Sequence, residues 1–488
     1  MKRRDFLKFA GALGSSTLFT SALANTFFLA SAHGAAVPVE SLRKILPPNE
    51  GQILVPTDAK FKETLVIYNK RVLVAPKVRV MCATPKAVAL AIQWARDNEI
   101  PLAMRAGGHS YEGFSSSTGL VIDVRPMNKM TMSQNAETVT VGAGGALGQI
   151  YAHISAKGRA IPAGSCPTVG VTGHTTGGGF GLLARSYGLA CDSLLEAKLV
   201  NAKGDLLTLN AQENSDLFWA IRGAGGGSFG IVTELTFKTH KVENVSVFGA
   251  SWSATPEVAT RLMRTWQQWA PNSPKAINTL FKISKGKDGT YNIRCVIQCD
   301  GSESLIRQQM ELSLFKVAAP ASVTYKTLPF IGAVRRFAGE EGPYPSIYMK
   351  AKSDYLSKVM TESDCANFLK ALPSGVAVMF DSYGGEVGAV ANDATAFVHR
   401  QDTICSLQYY MEWSDPASTE GKLRTMREFH TAVRPAMSGR AYFNYCDMDL
   451  PNWAEAYWGS NLPRLTQIKS QHDPENVFRH AQSVPLKK

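Results

Sequence analysis

The stretch GSCPTVGVTGHTTGGGFGLLARSYGLACD (residues 164–192) decides how this chain is read. Consecutive glycines let successive backbone N–H groups converge on an anion, so such a run can hold a pyrophosphate without any side-chain charge. Two similar stretches flank it, RAGGHSYEGFS (105–115) and GAGGGSFGIV (223–232). Taken singly, each is more often a tight turn than a ligand site. All three fall between residues 105 and 232, in a region of short β pieces and short helices, and that density points to a dinucleotide cofactor.

A competing motif is VTVGAGGALGQIY (139–151), which offers a strand, a glycine turn and a helix. Its glycines, Gly142, Gly144 and Gly148, depart from the G-x-G-x-x-G spacing. No Asp or Glu occurs between Glu137 and Asp192, so the acid that would bind a ribose about 20 residues further on is absent. With no G-x-x-x-x-G-K-[ST] run either, the sequence argues against a nicotinamide site and against a P-loop.

The 488 residues leave room for roughly two to four domains at ordinary domain size. A content of 45% hydrophobic and 19% charged residues excludes a disordered chain, a collagen and a coiled coil. The start, MKRRDFLKFAGALGSSTLFTSALANTFFLASAHGAA, has Arg3 and Arg4 ahead of a mildly apolar stretch, then small-residue sites at Ala22–Ala24 and Ala30–Ala32. This resembles a twin-arginine signal peptide over residues 1–32, which sends folded proteins across a bacterial inner membrane, and implies a periplasmic or secreted product. The alternative is an uncleaved anchor, against which stand the polar residues that interrupt the apolar run. Removing the segment lowers the net charge from +12 to about +9, spread without any block of like charges. That favours solubility and gives no nucleic-acid groove. No second apolar run is long enough to span a membrane, so no membrane span is expected in the mature protein.

Eight cysteines are too few for a disulfide scaffold. Cys295 and Cys299 sit in YNIRCVIQC, a β-like run in which four residues extend about 13 Å, too far for a mutual disulfide. No Cys/His cluster has zinc spacing, so no metal is expected.

Residues 75–125 read strand, helix, strand, with VRVMCA followed by the Pro-led helix PKAVALAIQWARDNEI. Near residue 245 the texture changes to longer strands (VSVFGASW, YNIRCVIQC, AVMFDSYGG, SLQYYMEW) alternating with helices at 256–270 and 418–434. RAGGHS, the run G-x-C-P-T-V-G-V-x-G-H-x-x-G-G-G-F-G, and the ending YFNYCD…YWGSNLPRLTQIKSQHDPENVFRHAQSV together resemble the berberine bridge enzyme-like flavoprotein oxidases of the vanillyl-alcohol oxidase superfamily. The resemblance covers residues 75 to 485. It implies an α+β fold: a two-part PCMH-type FAD-binding domain (33–245), an α+β substrate domain with an antiparallel sheet (246–430), and a C-terminal segment (431–488) completing the FAD domain.

The resemblance further implies that His109 and Cys166 attach FAD covalently, at the flavin 8α-methyl and ring carbon six. Imidazole and thiolate are nucleophiles suited to that chemistry. Arg105, Ala106, Gly107, Gly108, Ser110, Gly170, Gly173, His174, Gly177, Gly178, Gly230 and Val232 would line the cofactor, with Tyr442 and Asn444 near its ring. His174 is open to a second reading as a turn-stabilising residue. Val169 matches a position governing oxygen access, where valine accompanies oxidases.

Oxidising an alcohol needs a base within hydrogen-bond reach. Tyr445, in YFNY, matches the family's catalytic tyrosine. A free tyrosine titrates near 10, so its pKa is expected to be lowered or its proton shared. Asp381 in FDSYGG is a candidate partner, or else a sheet-end residue. Gln408 matches a strand position facing the flavin. Ser406 stands where some plant members carry a charged residue. Tyr111 either faces the substrate or packs in the core.

These readings imply an exported oxidase with bicovalent FAD, acting on a small-molecule alcohol (a sugar, an oligosaccharide or a secondary-metabolite hydroxyl), with O2 reduced to hydrogen peroxide. The rivals are a dehydrogenase with a periplasmic acceptor and a flavin-binding module without catalysis.

Overall fold

In the computed structural model, residues 37–338 and 344–487 are described; the expected signal segment lies outside them. The first sheet follows from the strand–helix–strand pattern. β1 (Gly51–Leu54), β2 (Val78–Cys82), β3 (Leu102–Arg105) and β4 (Leu120–Asp123) lie in the order β1-β2-β4-β3. β2 and β3 both run parallel to β4, which is buried at every position, as a parallel strand covered on both faces must be. The crossover helix Pro85–Asp97 starts where Thr84 accepts a 3.2 Å hydrogen bond from the Ala87 N–H and Pro85 occupies the first turn. Its apolar stripe, including Val88, Ile92 and Trp94, is buried. Arg79 of β2 pairs with Asp123 of β4 at 2.7 Å inside the sheet. β3 ends at Arg105, so RAGGHS emerges at a strand's carboxyl end, where α/β sheets place their ligands.

The second sheet is antiparallel, with β5 (Met130–Met132), β6 (Thr138–Gly142), β8 (Leu194–Val200), β9 (Leu206–Leu209) and β10 (Ile231–Lys238) ordered β5-β6-β10-β8-β9. A short pair, β7 (Arg159–Ala160) with β11 (His240–Lys241), stands beside it.

The third sheet has seven antiparallel strands: β12 (Asn244–Ala254), β13 (Ile277–Lys285), β14 (Tyr291–Cys299), β15 (Ser322–Pro329), β16 (Tyr348–Leu356), β17 (Ala377–Ser382) and β18 (Cys405–Trp413). Their order is β15-β12-β14-β13-β17-β18-β16. One face carries Trp252, Phe281, Ile293, Phe380 and Tyr409, packed against the helices Pro256–Trp269, Glu362–Ala371 and Thr419–Val433. Strand residues alternate between faces, so the opposite face presents Asn278, Gln298, Asp381, Ser406, Gln408 and Tyr410. That face meets the glycine-rich segment: Gln298 donates to the Leu182 carbonyl at 3.0 Å, and the Arg185 N–H donates to Asn278 Oδ1 at 3.1 Å. The architecture is α+β, and all eight cysteines are free thiols.

The C-terminal segment returns to the glycine-rich half. The Tyr442 hydroxyl accepts from the N–H groups of Gly179 (3.0 Å) and Phe180 (3.3 Å). Asn444 donates to the His174 carbonyl at 3.0 Å. Lys469, fully buried, donates to Asp473 and to the carbonyls of Ser228 and Phe478.

Candidate active site

The three glycine stretches meet. A Cβ on Gly107 would stand 2.2 Å from the Gly170 nitrogen, and one on Gly170 would stand 2.4 Å from the Gly107 nitrogen. Only two glycines allow that approach, and it lays the loop after β3 against the loop carrying Cys166. The Gly223 and Gly225 N–H groups both donate to the Thr176 carbonyl, at 2.9 and 2.8 Å, tying in the third stretch. The backbone between them is uncovered. No atom lies within 4 Å of a Cβ placed on Gly173, and Gly226 and Gly227 would meet only Thr176 at 3.4 Å and His480 at 3.7 Å. An open, uncharged, amide-lined cradle fits a pyrophosphate.

His109 and Cys166 flank this junction. His109 Nε2 is 2.9 Å from Thr168 Oγ1, two residues beyond Cys166, and its ring stacks on Tyr68 with centroids 4.7 Å apart. Burial, reinforced by the Arg105 charge, lowers its pKa to about 4, leaving a neutral imidazole at neutral pH. Cys166 is the one cysteine of the eight with an exposed side chain. Its exposure opens into a crowded depression, where desolvation still raises the thiol pKa.

An aromatic wall continues from His109. Tyr68 stacks on Tyr111 at 5.9 Å, Tyr111 lies parallel to Tyr445 at 5.7 Å with 5° between planes, and Tyr445 meets Tyr442 edge-on at 5.0 Å. The third sheet closes over it. Gln408 Nε2 donates to the Tyr111 hydroxyl at 2.9 Å. Tyr410 donates to Glu412 at 3.1 Å, so the proton shared between the Tyr68 and Tyr410 hydroxyls, 3.1 Å apart, comes from Tyr68. Asp381 pairs in register with Ser406, and Met379 with Gln408, which puts the carboxyl and the amide on one face. Burial pushes the Asp381 carboxyl up to about 7. Burial also raises Tyr445, and the Asp381 charge raises it further. Two titratable groups with unequal, raised affinities for a proton can serve as an acid–base pair.

Residues 76–210 match the family described as "FAD binding domain", and residues 441–485 match "Berberine and berberine like". The FAD-linked oxidoreductase YgaK of Bacillus subtilis (strain 168) is 35% identical over 89% of this chain and 97% of its own. The chain belongs to the berberine bridge enzyme-like FAD-linked oxidoreductases. Among solved structures, Physcomitrella patens BBE-like 1 superposes with a TM-score of 0.85 and 31% identity, covering 92% of this chain and 99% of that one. A chitooligosaccharide oxidase superposes with a TM-score of 0.84 and 26% identity, covering 92% and 100%.

Within this berberine bridge enzyme-like frame, the residues expected at the site fall into distinct settings. Gly107, Gly108, Ser110, His109, Cys166, Val169, Gly170 and Gly173 lie on the two touching loops or at their junction. Arg105 and Ala106 are buried below, the Arg105 guanidinium donating to the carbonyls of Thr64 and Val66. Gly177 meets the C-terminal segment, since a Cβ there would collide with Asn444, while a Cβ on Gly178 would collide with Phe397. Gly230 and Val232 belong to the start of β10, where the Val232 side chain is in the core.

Two residues gain partners that the sequence left open. The His174 ring is committed to its own loop, accepting the Gly164 N–H at 2.9 Å, so it props up the Cys166 segment. Of the two expectations for Tyr445, a lowered pKa or a proton shared with a partner, the pKa is raised, first by burial and then by the Asp381 charge. Asp381 is therefore the group that titrates near neutrality.

Several site residues were not foreseen. Tyr68 and Tyr410 are isolated aromatics whose partners lie far away in the chain. Lys350 and Lys352 of β16 are both buried. Lys350 Nζ bridges Glu112 (2.5 Å) and Asp447 (2.6 Å), and Lys352 bonds Asp447 (2.6 Å) and Asp449 (3.1 Å). Glu112 follows Tyr111 and Asp447 comes two residues after Tyr445, so Lys350 clamps the segments bearing the parallel tyrosines. Two lysines two apart, on one face of the strand YMKAKSDYL, were the available signal.

Proposed function

We propose that the protein is an exported oxidase that holds FAD through both His109 and Cys166 and oxidises a hydroxyl of a carbohydrate or secondary metabolite. The observation that carries this reading is the junction itself: a neutral imidazole and an exposed thiol on two loops joined through Thr168 and the Gly107–Gly170 contact. Likeness to a chitooligosaccharide oxidase favours a carbohydrate. Val169 beside the Cys166 loop favours O2 as acceptor over a dehydrogenase's protein partner. The balance is then one alcohol and one O2 consumed for one carbonyl and one hydrogen peroxide.

When bound, FAD accepts the hydride equivalent lost by the substrate carbon and passes its electrons on. The chain's own part is to manage the hydroxyl proton. Gln408 and Tyr111 hold the substrate oxygen's surroundings fixed through their 2.9 Å bond. Tyr445 delivers the proton, and Asp381, titrating at about 7, retains it. A base with that affinity matches near-neutral conditions. The half-buried wall of Tyr68, Tyr111 and Tyr445 limits water around the reacting carbon.

The test is acid denaturation of the purified protein. A yellow pellet, one FAD mass on the intact chain, and retention of the link in both His109→Ala and Cys166→Ala are expected, with peroxide forming in step with oxygen uptake. A colourless pellet with free FAD overturns the double attachment. Product without peroxide favours the dehydrogenase reading.

A further inference from the structure

The glycine turn and helix of VTVGAGGALGQIY (139–151) depart from a dinucleotide motif in spacing and serve another purpose in the fold. At a phosphate-binding turn, the N–H groups of the glycines and of the first helical residues are left free for the anion. Here the chain itself takes them. The Gly144 N–H donates to the Met127 carbonyl and the Gly145 N–H to that of Gly142, each at 2.9 Å. The helix Leu147–Ser155 has no side-chain cap. Its first two N–H groups, from Leu147 and Gly148, donate to the carbonyls of Val169 and Pro167, again at 2.9 Å. Both acceptors belong to the loop that carries Cys166.

The contact continues along one helix face. Gly148 and Tyr151 are three residues apart and so stand one above the other. A Cβ on Gly148 would lie 2.6 Å from the Pro167 side chain, so only a glycine leaves room for Pro167. One turn on, Tyr151 is 1% exposed and donates from its hydroxyl to the Gly164 carbonyl at 2.8 Å. The Gly164 N–H goes to His174, so side chains hold both polar groups of Gly164, two residues ahead of Cys166. On the far side, the Val171 N–H donates to the Gly145 carbonyl at 2.9 Å. Cys166 thus sits exposed on a loop pinned at Gly164, Pro167, Val169 and Val171.

We propose that residues 142–151 are a splint for the Cys166 thiol, with Tyr151 the positioning residue for its bond to the flavin. This deepens the double-attachment reading and rests on it. A reactive cysteine is ordinarily activated by a nearby cation or base that lowers its pKa. For Cys166 burial alone acts, and it raises the thiol, so placement has to supply the reactivity. Joining exchanges one S–H bond and one flavin ring C–H bond for one S–C bond. The two hydrogens, as two protons and two electrons, pass to O2, which leaves as hydrogen peroxide.

Tyr151→Phe removes one hydroxyl and keeps the ring. In His109→Ala, where Cys166 is the remaining link, adding Tyr151→Phe is expected to lower acid-stable FAD, read by intact mass, about tenfold. In Cys166→Ala, where His109 is the link, the same change is expected to leave acid-stable FAD unaltered. Gly148→Ala presses on Pro167 from the same helix face and is expected to reproduce both results. Equal loss in the two backgrounds, or loss in neither, overturns the splint; should Tyr151→Phe not fold, Gly148→Ala decides alone. If His109→Ala itself releases its FAD, the double attachment falls and the splint is read from the thiol directly. The other seven cysteines are buried, so iodoacetamide reports on Cys166. Tyr151→Phe is then expected to speed alkylation about tenfold as the freed loop lets the thiol into solvent, and an unchanged rate overturns the splint.

Discussion

Lys350→Met removes the centre of the clamp that joins Tyr111 to Tyr445. Lys350 is 2% exposed, and its ammonium touches Glu112, Asp447 and Asp449 at 2.5, 2.6 and 3.4 Å. Stripping one partner from a buried ion pair costs about 3–5 kcal/mol, because the other charge is left in a poor solvent. Here Glu112 keeps Arg71 at 2.6 Å and Asp447 keeps Lys352 at 2.6 Å. The expected cost therefore lies at the low end, about 3 kcal/mol. For a chain of this length the unfolding entropy makes that a fall in Tm of about 3 °C. Burial opposes the Lys350 charge, but its carboxylates outweigh burial and raise the pKa. The clamp's stability is then present below the ordinary lysine pKa and is lost only as pH rises through the raised value. Asp447 and Asp449 are lowered, so their share is present above the ordinary carboxylate range and is lost as pH falls. Scanning calorimetry at pH 7 reads the loss, and turnover reads the slackened tyrosine stack. Lys350→Met/Glu112→Gln, which removes one charge of each sign, is expected to recover at least 1 kcal/mol by a double-mutant cycle. A single variant that melts within 0.5 °C of wild type and turns over normally refutes the clamp.

Asp381→Asn is expected to lower kcat by about 10²–10⁴-fold and to abolish the loss of rate on the acid side of about pH 7. Because burial raises the Asp381 pKa, its ionised form costs stability above that pH, so the Asn variant is expected to melt higher at pH 8, with calorimetry as the check. His109→Ala and Cys166→Ala are each expected to retain FAD through the remaining link, and the double variant to release it in acid; intact mass decides. Gly107→Ala forces a Cβ to 2.2 Å from the Gly170 nitrogen, so the loops must part, at about 1–3 kcal/mol, and flavin content measured by absorbance is expected to drop.

Local chemistry was legible and distant pairing was not. The glycine stretches carry their own conformational signal, and the structure brings them together as density alone suggested. The Pro-led helix after VRVMCA and the strands of the third sheet follow from periodicity, so Asp381 and Gln408 could be placed on strands. That they share a face depends on the register of β17 against β18, which no local pattern specifies. Tyr68 shows the limit most plainly. Nothing around LVIYNKR marks it, and its hydroxyl partner Tyr410 is 342 residues away. The burial of Lys350 and Lys352 likewise depends on the segment after Tyr445, whose Asp447 and Asp449 reach both ammonium groups. His174 carried two readings in the sequence, and its bond to the Gly164 N–H supplies the turn-stabilising part that its place among glycines could not specify.

The return of the C-terminal segment sets a timetable for biogenesis. Gly177 and Gly179 acquire their partners Asn444 and Tyr442 only after more than nine-tenths of the chain has been made. A ribosome still holding that segment holds an unfinished cradle. A chain truncated before Tyr442 is therefore expected to lack these supports of the glycine segment, and its flavin content, read by absorbance, is expected to fall.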